Sequence, residues 1–333
     1  MDKHAPTTYG STYEVATGPY MLESNLKSAG AFAGIGYQTG KSAVLVRNPN
    51  WNPNTYSPAY KPPAYLDRIN IDIGGDAPVI GQQVLKGSDS VQLDTPAQSI
   101  VKARGGALVA QPMTHFLYPG DQGFEQAGGF AGPQVDYNRD VEGNHAVACK
   151  YMKLAGYPDC RYTGGETVQM VSSNNGNDPP ISQIVNSALT VLGFTTHVSL
   201  VDQTVIYSKY CQVPKQEIDA CPAQGWLRDF ADPLGTLYAP FYGPSITATG
   251  NPNQGQVNVP AINAAMAKAA LIVAPAARYR AWAKIDDMLV DHAAAVPEDY
   301  DNQPNIESRD VAGVDDLWNE GTWDFAFTSL KKP

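Results

Sequence analysis

The segment Trp226-Leu227-Arg228-Asp229-Phe230-Ala231-Asp232-Pro233 gathers more chemistry than any other stretch of the sequence. An indole, two carboxylates and further aromatic or apolar groups lie between Gly225 and a helix-breaking proline. Such a set suits a cationic ligand, because a carboxylate supplies charge and an indole face supplies a cation–π surface. It equally suits an aromatic loop whose carboxylates cap nearby backbone amides. The residues alone favour neither reading.

Other constellations fall short of a known chemistry. Gly34-Ile35-Gly36-Tyr37-Gln38-Thr39-Gly40-Lys41-Ser42 approaches a phosphate loop, but Ile35 stands where that loop needs a glycine. A helix should follow, with its N-terminal amides on the phosphates, and strand-like Ala43–Val46 follows instead. A glycine-rich hairpin turn is expected. Asp136, Asn138, Asp140 and Glu142 alternate like calcium ligands, yet Val141 takes the turn-glycine position and Val147 the closing carboxylate. A solvated loop leading into a helix is expected there. His4, His115, His145, His197 and His292 are scattered, and neither G-x-S-x-G nor H-E-x-x-H occurs. No catalytic residue, metal site or cofactor is therefore expected.

The four cysteines form two close pairs, Cys149/Cys160 and Cys211/Cys221. Local pairing is the economical choice among three connectivities, and neither pair has zinc or redox spacing. Buried free thiols are the alternative.

The elements that must carry these residues are read from periodicity. Strands are expected at Ala43–Val46, Arg68–Ile73 and Ser90–Leu93, with a short helix over Pro78–Lys86. Gly105–Asp136, rich in glycine and aromatics, reads as loop. A helix is expected over Asn144–Ala155, stopped by Gly156 and Pro158. Strand Thr167–Val171, a helix capped by Asp178 with Pro179 in its first turn, and strand Phe194–Val201 form a βαβ unit with parallel strands. Ile181, Ile184, Val185, Ala188, Leu189 and Leu192 make the apolar stripe of its helix. Two helices follow, Pro260–Leu271 and Ala276–His292, the second with Trp282, Ile285, Met288 and Leu289 on its core face. Trp323–Phe327 alternates like a final strand.

The chain has 333 residues, of which 43% are hydrophobic and 17% charged, a composition of folded proteins and long enough for two lobes. The net charge of -10 offers no footprint for nucleic acid or anionic lipid. No stretch approaches the ~20 apolar residues of a membrane helix. Met1–Pro6 lacks the apolar core of a signal peptide, which taken alone reads as cytoplasmic.

In order along the chain, several segments resemble the extracellular solute-binding proteins of ABC importers, family 5, the oligopeptide, dipeptide and nickel class. Ala16-Thr17-Gly18-Pro19-Tyr20 and Leu45-Val46-Arg47-Asn48-Pro49-Asn50-Trp51 are similar to the family's G-T-G-P-Y segment and R-N-P strand end. Pro62-Pro63-Ala64-Tyr65-Leu66-Asp67-Arg68-Ile69 resembles the stretch that follows. Tyr207–Pro233, with Trp226-x-x-Asp229-x-x-Asp232-Pro233, and Arg278–Pro297 with Trp323-Asp324-Phe325 complete the likeness.

The resemblance implies an α/β, periplasmic-binding-protein-like (type II) fold of two lobes, with the first lobe incomplete. It implies residues 1–98 in lobe I, 99–296 in lobe II with the βαβ unit at 167–201, and 297–333 returning to lobe I. The function implied is capture of a peptide or similar small solute in an interlobe cleft, for delivery to permease subunits in the membrane. The carrier would be a monomer and not an enzyme, lodged in the periplasm or at the cell surface, where many members are lipoproteins. Asp229 would meet the ligand's α-amino group, with Trp226 and Phe230 beside it. Asp232 and Pro233 would be structural. An exported location favours the Cys211–Cys221 disulfide, with Cys149–Cys160 as a possible second. Against the family pattern the chain starts inside lobe I and steps from Thr95-Pro96 almost directly to Ile100–Gly106. A truncated or internally deleted form with exposed apolar surface is therefore expected. The rival readings are a non-binding remnant of such a protein and, from another class, a two-lobe hydrolase.

Overall fold

The computed structural model describes residues 14, 16–28, 31–38, 40–55, 62–92, 110–133, 135–140, 142–228, 230, 232–301, 305–313 and 325–331. The chain divides into two compact units, Met1–Val109 with Asn302–Pro333, and Ala110–Asp301. Among the described residues no helix is long and apolar enough to cross a membrane.

The first unit begins with β1 (Tyr20–Leu22), the hairpin β2 (Leu26–Ser28) and β3 (Ala31–Ala33), then β4 (Ser42–Arg47) and β5 (Arg68–Asp72). Strands β1, β4 and β5 form an antiparallel sheet with β4 central. Leu22 and Ile69, both opposite Leu45, are buried on one face of this sheet, and Met21 and Val44 on the other, so the sheet is covered on both sides. Asn48 follows β4 and fastens the entry to β1: its Nδ2 donates to Gly18 O at 2.9 Å, and its own amide donates to Pro19 O at 2.8 Å. Arg47 reaches the other way, to Tyr65 O at 2.9 Å and the Asp67 carboxylate at 3.0 Å. The R-N-P strand end thus ties three separated motif segments together. The glycine-rich stretch before β4 is a turn, with Lys41 N donating to Gln38 O at 2.9 Å.

Helix α1 (Ala77–Lys86) starts at Asp76, whose side chain accepts from Val79 N at 3.0 Å. It packs Val84 against Ile306, beside β6 (Val91–Gln92).

The second unit opens with β7 (Gln111–Pro112) and runs through α2 (His145–Leu154), β8 (Thr167–Ser173), α3 (Asp178–Val191) and β9 (Thr195–Val201). Then come α4 (Pro233–Phe241), α5 (Pro260–Ala270), α6 (Pro275–Asp291) and β10 (Asp299–Tyr300). Strand β10 pairs with β7, which keeps residues 297–301 with this unit. Strands β8 and β9 are parallel, from Thr167↔Thr195 to Ser173↔Val201. Val171 and Val201 face a cluster with Ile206 and Cys211, while Thr196 on the opposite face bonds Asn186 of α3.

Two expectations differ from the structure. Asp178 is the first residue of α3, and Asn177 holds the cap position without a side-chain cap bond. The stripe on α3 is only partly covered, and Ile184 is 69% exposed. Among the described residues β8 and β9 form a two-stranded sheet, too narrow to bury a helix of this length on its whole apolar side.

The main core of this unit joins Trp282, Ile285, Leu289 and Val290 of α6 to Ile262 and Met266 of α5 and to Leu237 and Phe241 of α4. Phe116, Leu117 and Ala127 enter it from 110–138. That stretch, expected as loop, is built of short 3₁₀ turns and contributes core residues. One carboxylate anchors its start at 115–117. Buried Asp286 accepts from Phe116 N at 2.9 Å, Leu117 N at 3.0 Å and His115 Nδ1 at 2.6 Å. The other ring nitrogen of His115 lies 3.0 Å from Gly129 O. Burial of Phe116, Leu117 and Ala127 draws this aperiodic, glycine-rich segment inward, and these hydrogen bonds offset the cost of burying its polar groups.

The chain closes in the first unit with β11 (Ile306–Glu307), paired to β6, and β12 (Val311–Ala312), paired to β13 (Ser329–Leu330). The final strand is therefore β13. Phe325–Phe327 forms a turn, in which buried Ala326 accepts from Ala64 N at 2.9 Å, and Trp323 and Asp324 lie outside the described residues.

Candidate functional site

Both cysteine pairs are disulfides, Cys149–Cys160 and Cys211–Cys221, with Cα separations of 4.7 and 6.3 Å. The second lies where it positions the Trp226 segment. Residues 219–222 run beside β8: Val171 N donates to Ala220 O at 3.1 Å, and Ser172 Oγ donates to Pro222 O at 3.2 Å. From that fixed line the chain leads through Gly225 into Trp226.

The half-buried Trp226 donates its indole N–H to Gly235 O at 3.3 Å, in the first turn of α4. Arg228 turns inward. Its guanidinium pairs with buried Asp121 and stands 5.8 Å from the Tyr118 ring centre. Thr236 Oγ1 donates to the other Asp121 oxygen at 2.7 Å. Burial pushes Asp121 upward, against the bonds from Thr236 and Arg228. Burial, then the Asp121 charge, pushes the Tyr118 hydroxyl up to about 12. The sequence singles out neither Asp121 nor Arg228 as paired. An arginine inside an aromatic segment was the available signal, but nothing local points to a carboxylate 107 positions earlier.

Asp232 caps α4, its Oδ1 accepting from Leu234 N at 2.9 Å, and Pro233 occupies the first turn. Arg278 grips the same carboxylate with two donors, at 2.8 and 2.7 Å, and donates to Ala269 O, Ala270 O and Ile272 O at the end of α5. One ion pair thus links the start of α4, the end of α5 and the first turns of α6. Burial acts to raise the Asp232 pKa, but Arg278 and the Leu234 amide outweigh it and hold the carboxyl below its ordinary value. Gly235 is required by close approach, since a Cβ there would stand 2.7 Å from Phe230 O.

With Arg228 and Asp232 pinned inward, Leu227 and Phe230 are left at the surface, Phe230 47% exposed. Asp229 lies outside the described residues. The arrangement can present aromatic and apolar groups from a braced loop. The calcium-like series is engaged elsewhere: Asp136 accepts from Lys150 Nζ and Tyr151 OH, both at 2.6 Å, and Asn138 donates to Thr114 O at 2.8 Å.

No protein-family model matches the sequence, and no curated protein matches it. Solved structures do. "Clavulanic acid biosynthesis oligopeptide binding protein 2" superposes with a TM-score of 0.64 at 19% identity, covering 95% of this chain and 63% of its own. The periplasmic binding protein DppA from Helicobacter pylori, in complex with the peptide STSA, gives 0.66 at 16%, covering 96% of this chain and 64% of its own. The binding protein AgaA from A.tumefacien, in complex with agropinic acid, gives 0.63 at 15%, covering 95% and 67%. The chain thus spans about two thirds of the length of the proteins it matches. Its fold is the periplasmic-binding-protein-like α/β fold of these solute-binding proteins.

Proposed function

We propose that this chain is the solute-capturing component of an ABC importer of the peptide class, delivering its cargo to membrane permease subunits from an extracytoplasmic compartment. The observation that carries the reading is fold likeness, across nearly the whole chain, to an oligopeptide-binding protein and to binding proteins described with a bound peptide or other small solute. Two disulfides agree with an oxidising location. Asp229 takes the charge role, receiving the α-amino group of a peptide, while Trp226 and Phe230 supply apolar surface beside it. The braces at Arg228 and Asp232 support this assignment, because a loop held at both sides costs little ordering on binding.

The proposal is tested by thermal denaturation with a pool of short peptides, followed by chromatography of the peptides. A ligand that binds only the folded state raises the melting temperature by mass action. The expected result is a concentration-dependent rise with the peptides recovered intact. Cleaved peptides would transfer the protein to the hydrolase class, and absence of any shift would leave it a non-binding remnant.

A further inference from the structure

His115 is fully buried, and both of its ring nitrogens face oxygen acceptors. Nδ1 stands 2.6 Å from Asp286 Oδ2, and Nε2 stands 3.0 Å from Gly129 O. A neutral imidazole has one N–H and one bare lone pair. Placed here, it would aim that lone pair at the carboxylate or at the carbonyl. Turning the ring over is no remedy, because that sets C–H groups against both acceptors. A proton on Asp286 is no remedy either. Phe116 N already donates to Oδ1 and Leu117 N to Oδ2, so a carboxyl proton on Oδ2 would compete with the Leu117 amide. The ring that satisfies every contact carries two protons.

The ring lies close to both places where the chain passes from one unit to the other. Those crossings fall at 109–110 and 301–302, and β7 and β10 pair immediately inside them. Met113 N extends the pairing, donating to Glu298 O at 3.1 Å. Tyr300 of β10 donates its hydroxyl to His115 O at 3.1 Å, and the rings of Phe124 and Tyr300 stand 5.0 and 6.2 Å from the imidazole. His115 therefore ties the paired connecting strands to α6. The titratable groups set around it are Asp286 and Asp287 of α6 and Tyr300 of β10. Burial, then the charge of Asp286, pushes the Asp287 carboxyl up, against the charge of His115. Burial pushes the Tyr300 hydroxyl up as well, so its bond to His115 O persists into mild alkali.

We propose that His115 carries both ring protons in the folded protein at neutral pH and forms a pH-sensitive latch, which fastens the connecting strands to α6 and loosens in alkali. Loss of the Nδ1 proton sets a lone pair against the Asp286 carboxylate, and loss of the Nε2 proton sets one against Gly129 O. Either loss turns a bond into a repulsion inside a site that water does not reach. A histidine of the unfolded chain is largely neutral above about pH 6.5. Folding between roughly pH 7 and 9 therefore takes up one proton, so stability falls as pH rises through that window. The inference stands whether or not the chain captures a solute.

The test joins NMR of the full chain, labelled with nitrogen-15 at histidine, to urea unfolding of the wild type and His115→Asn across the same pH window. At about pH 8 solvated histidines are neutral, so the expected spectrum shows one ring with two protonated nitrogens among rings with one. The wild-type unfolding constant should rise by up to about tenfold more per pH unit than that of the variant, the slope of one proton released on unfolding. Amide protection at Met113 and Leu117, corrected for intrinsic exchange, should fall over the same window. If the variant does not fold, the ring spectrum decides alone. A wild type with a single N–H on every ring at that pH, or with a pH dependence no steeper than the folded variant's, would overturn the proposal.

Discussion

Replacing Asp232 by alanine should destabilise the second unit by ~2–3 kcal/mol, and the figure can be assembled from its contacts. The cap to Leu234 N contributes about 1 kcal/mol, the usual loss when an N-cap acceptor is removed. The two-donor pair with Arg278 has side chains 15% and 22% exposed. Hydrogen bonds to charged groups contribute about 1.5–3 kcal/mol, and partial solvent access brings this one to the lower end. Arg278 keeps its three carbonyl partners at the end of α5, so the guanidinium is not orphaned. Asp232→Asn should cost roughly 1 kcal/mol less, because its oxygen can still cap. The pH dependence has a definite sign. The folded-state pKa is lowered from 3.8, so the stabilisation is complete above that value and is lost as pH falls through the lower folded one. Urea unfolding followed by circular dichroism should therefore give a constant wild-type advantage at neutral pH that shrinks in acid below the ordinary carboxylate range. A deficit under ~0.5 kcal/mol, within the scatter of surface substitutions, would rule out a stabilising role for this pair, as would a gap that does not close in acid.

Asp286→Asn should be more damaging, by ~3–5 kcal/mol, because its amide nitrogen must face a donor among Phe116 N, Leu117 N and His115; urea unfolding checks this. Cys221→Ser opens a loop whose ends are 10 residues apart and should cost about 2–3 kcal/mol by loop closure, read as a lower urea midpoint that reductant does not lower further at this pair. Asp229→Asn should weaken peptide binding by about 1.5–3 kcal/mol in calorimetry, the value of a lost charged hydrogen bond, while circular dichroism stays unchanged. N-acetylated peptide should bind the wild type about as weakly as the free peptide binds the variant.

The parts legible in the sequence are those governed by local rules. The βαβ unit shows because its strands alternate, its links are short and Gly193 stops the helix. Helices α5 and α6 show because each begins at a proline and repeats at helical spacing. Residues 113–131 were not legible, since their inward turn depends on Asp286, some 170 positions later. Glycines with positive φ, Gly128 and Gly129 among them, replace periodicity there with turns. The Trp226 segment was recognisable as unusual, but its brace was not. Asp121 and Arg278 carry no local mark of their partners, and pairing of distant charges is settled only when the core assembles. Exposure of Ile184 has the opposite cause: the helix pattern is sound, and what covers it is not set by its own residues.

Native mass spectrometry of the protein, as purified and after incubation with a defined pool of short peptides, tests capture of a solute most directly. The expected result is a folded species carrying one added mass that fragments as an intact peptide and is lost on unfolding. A bare protein in both samples, or a pool returned as cleavage products, would contradict it.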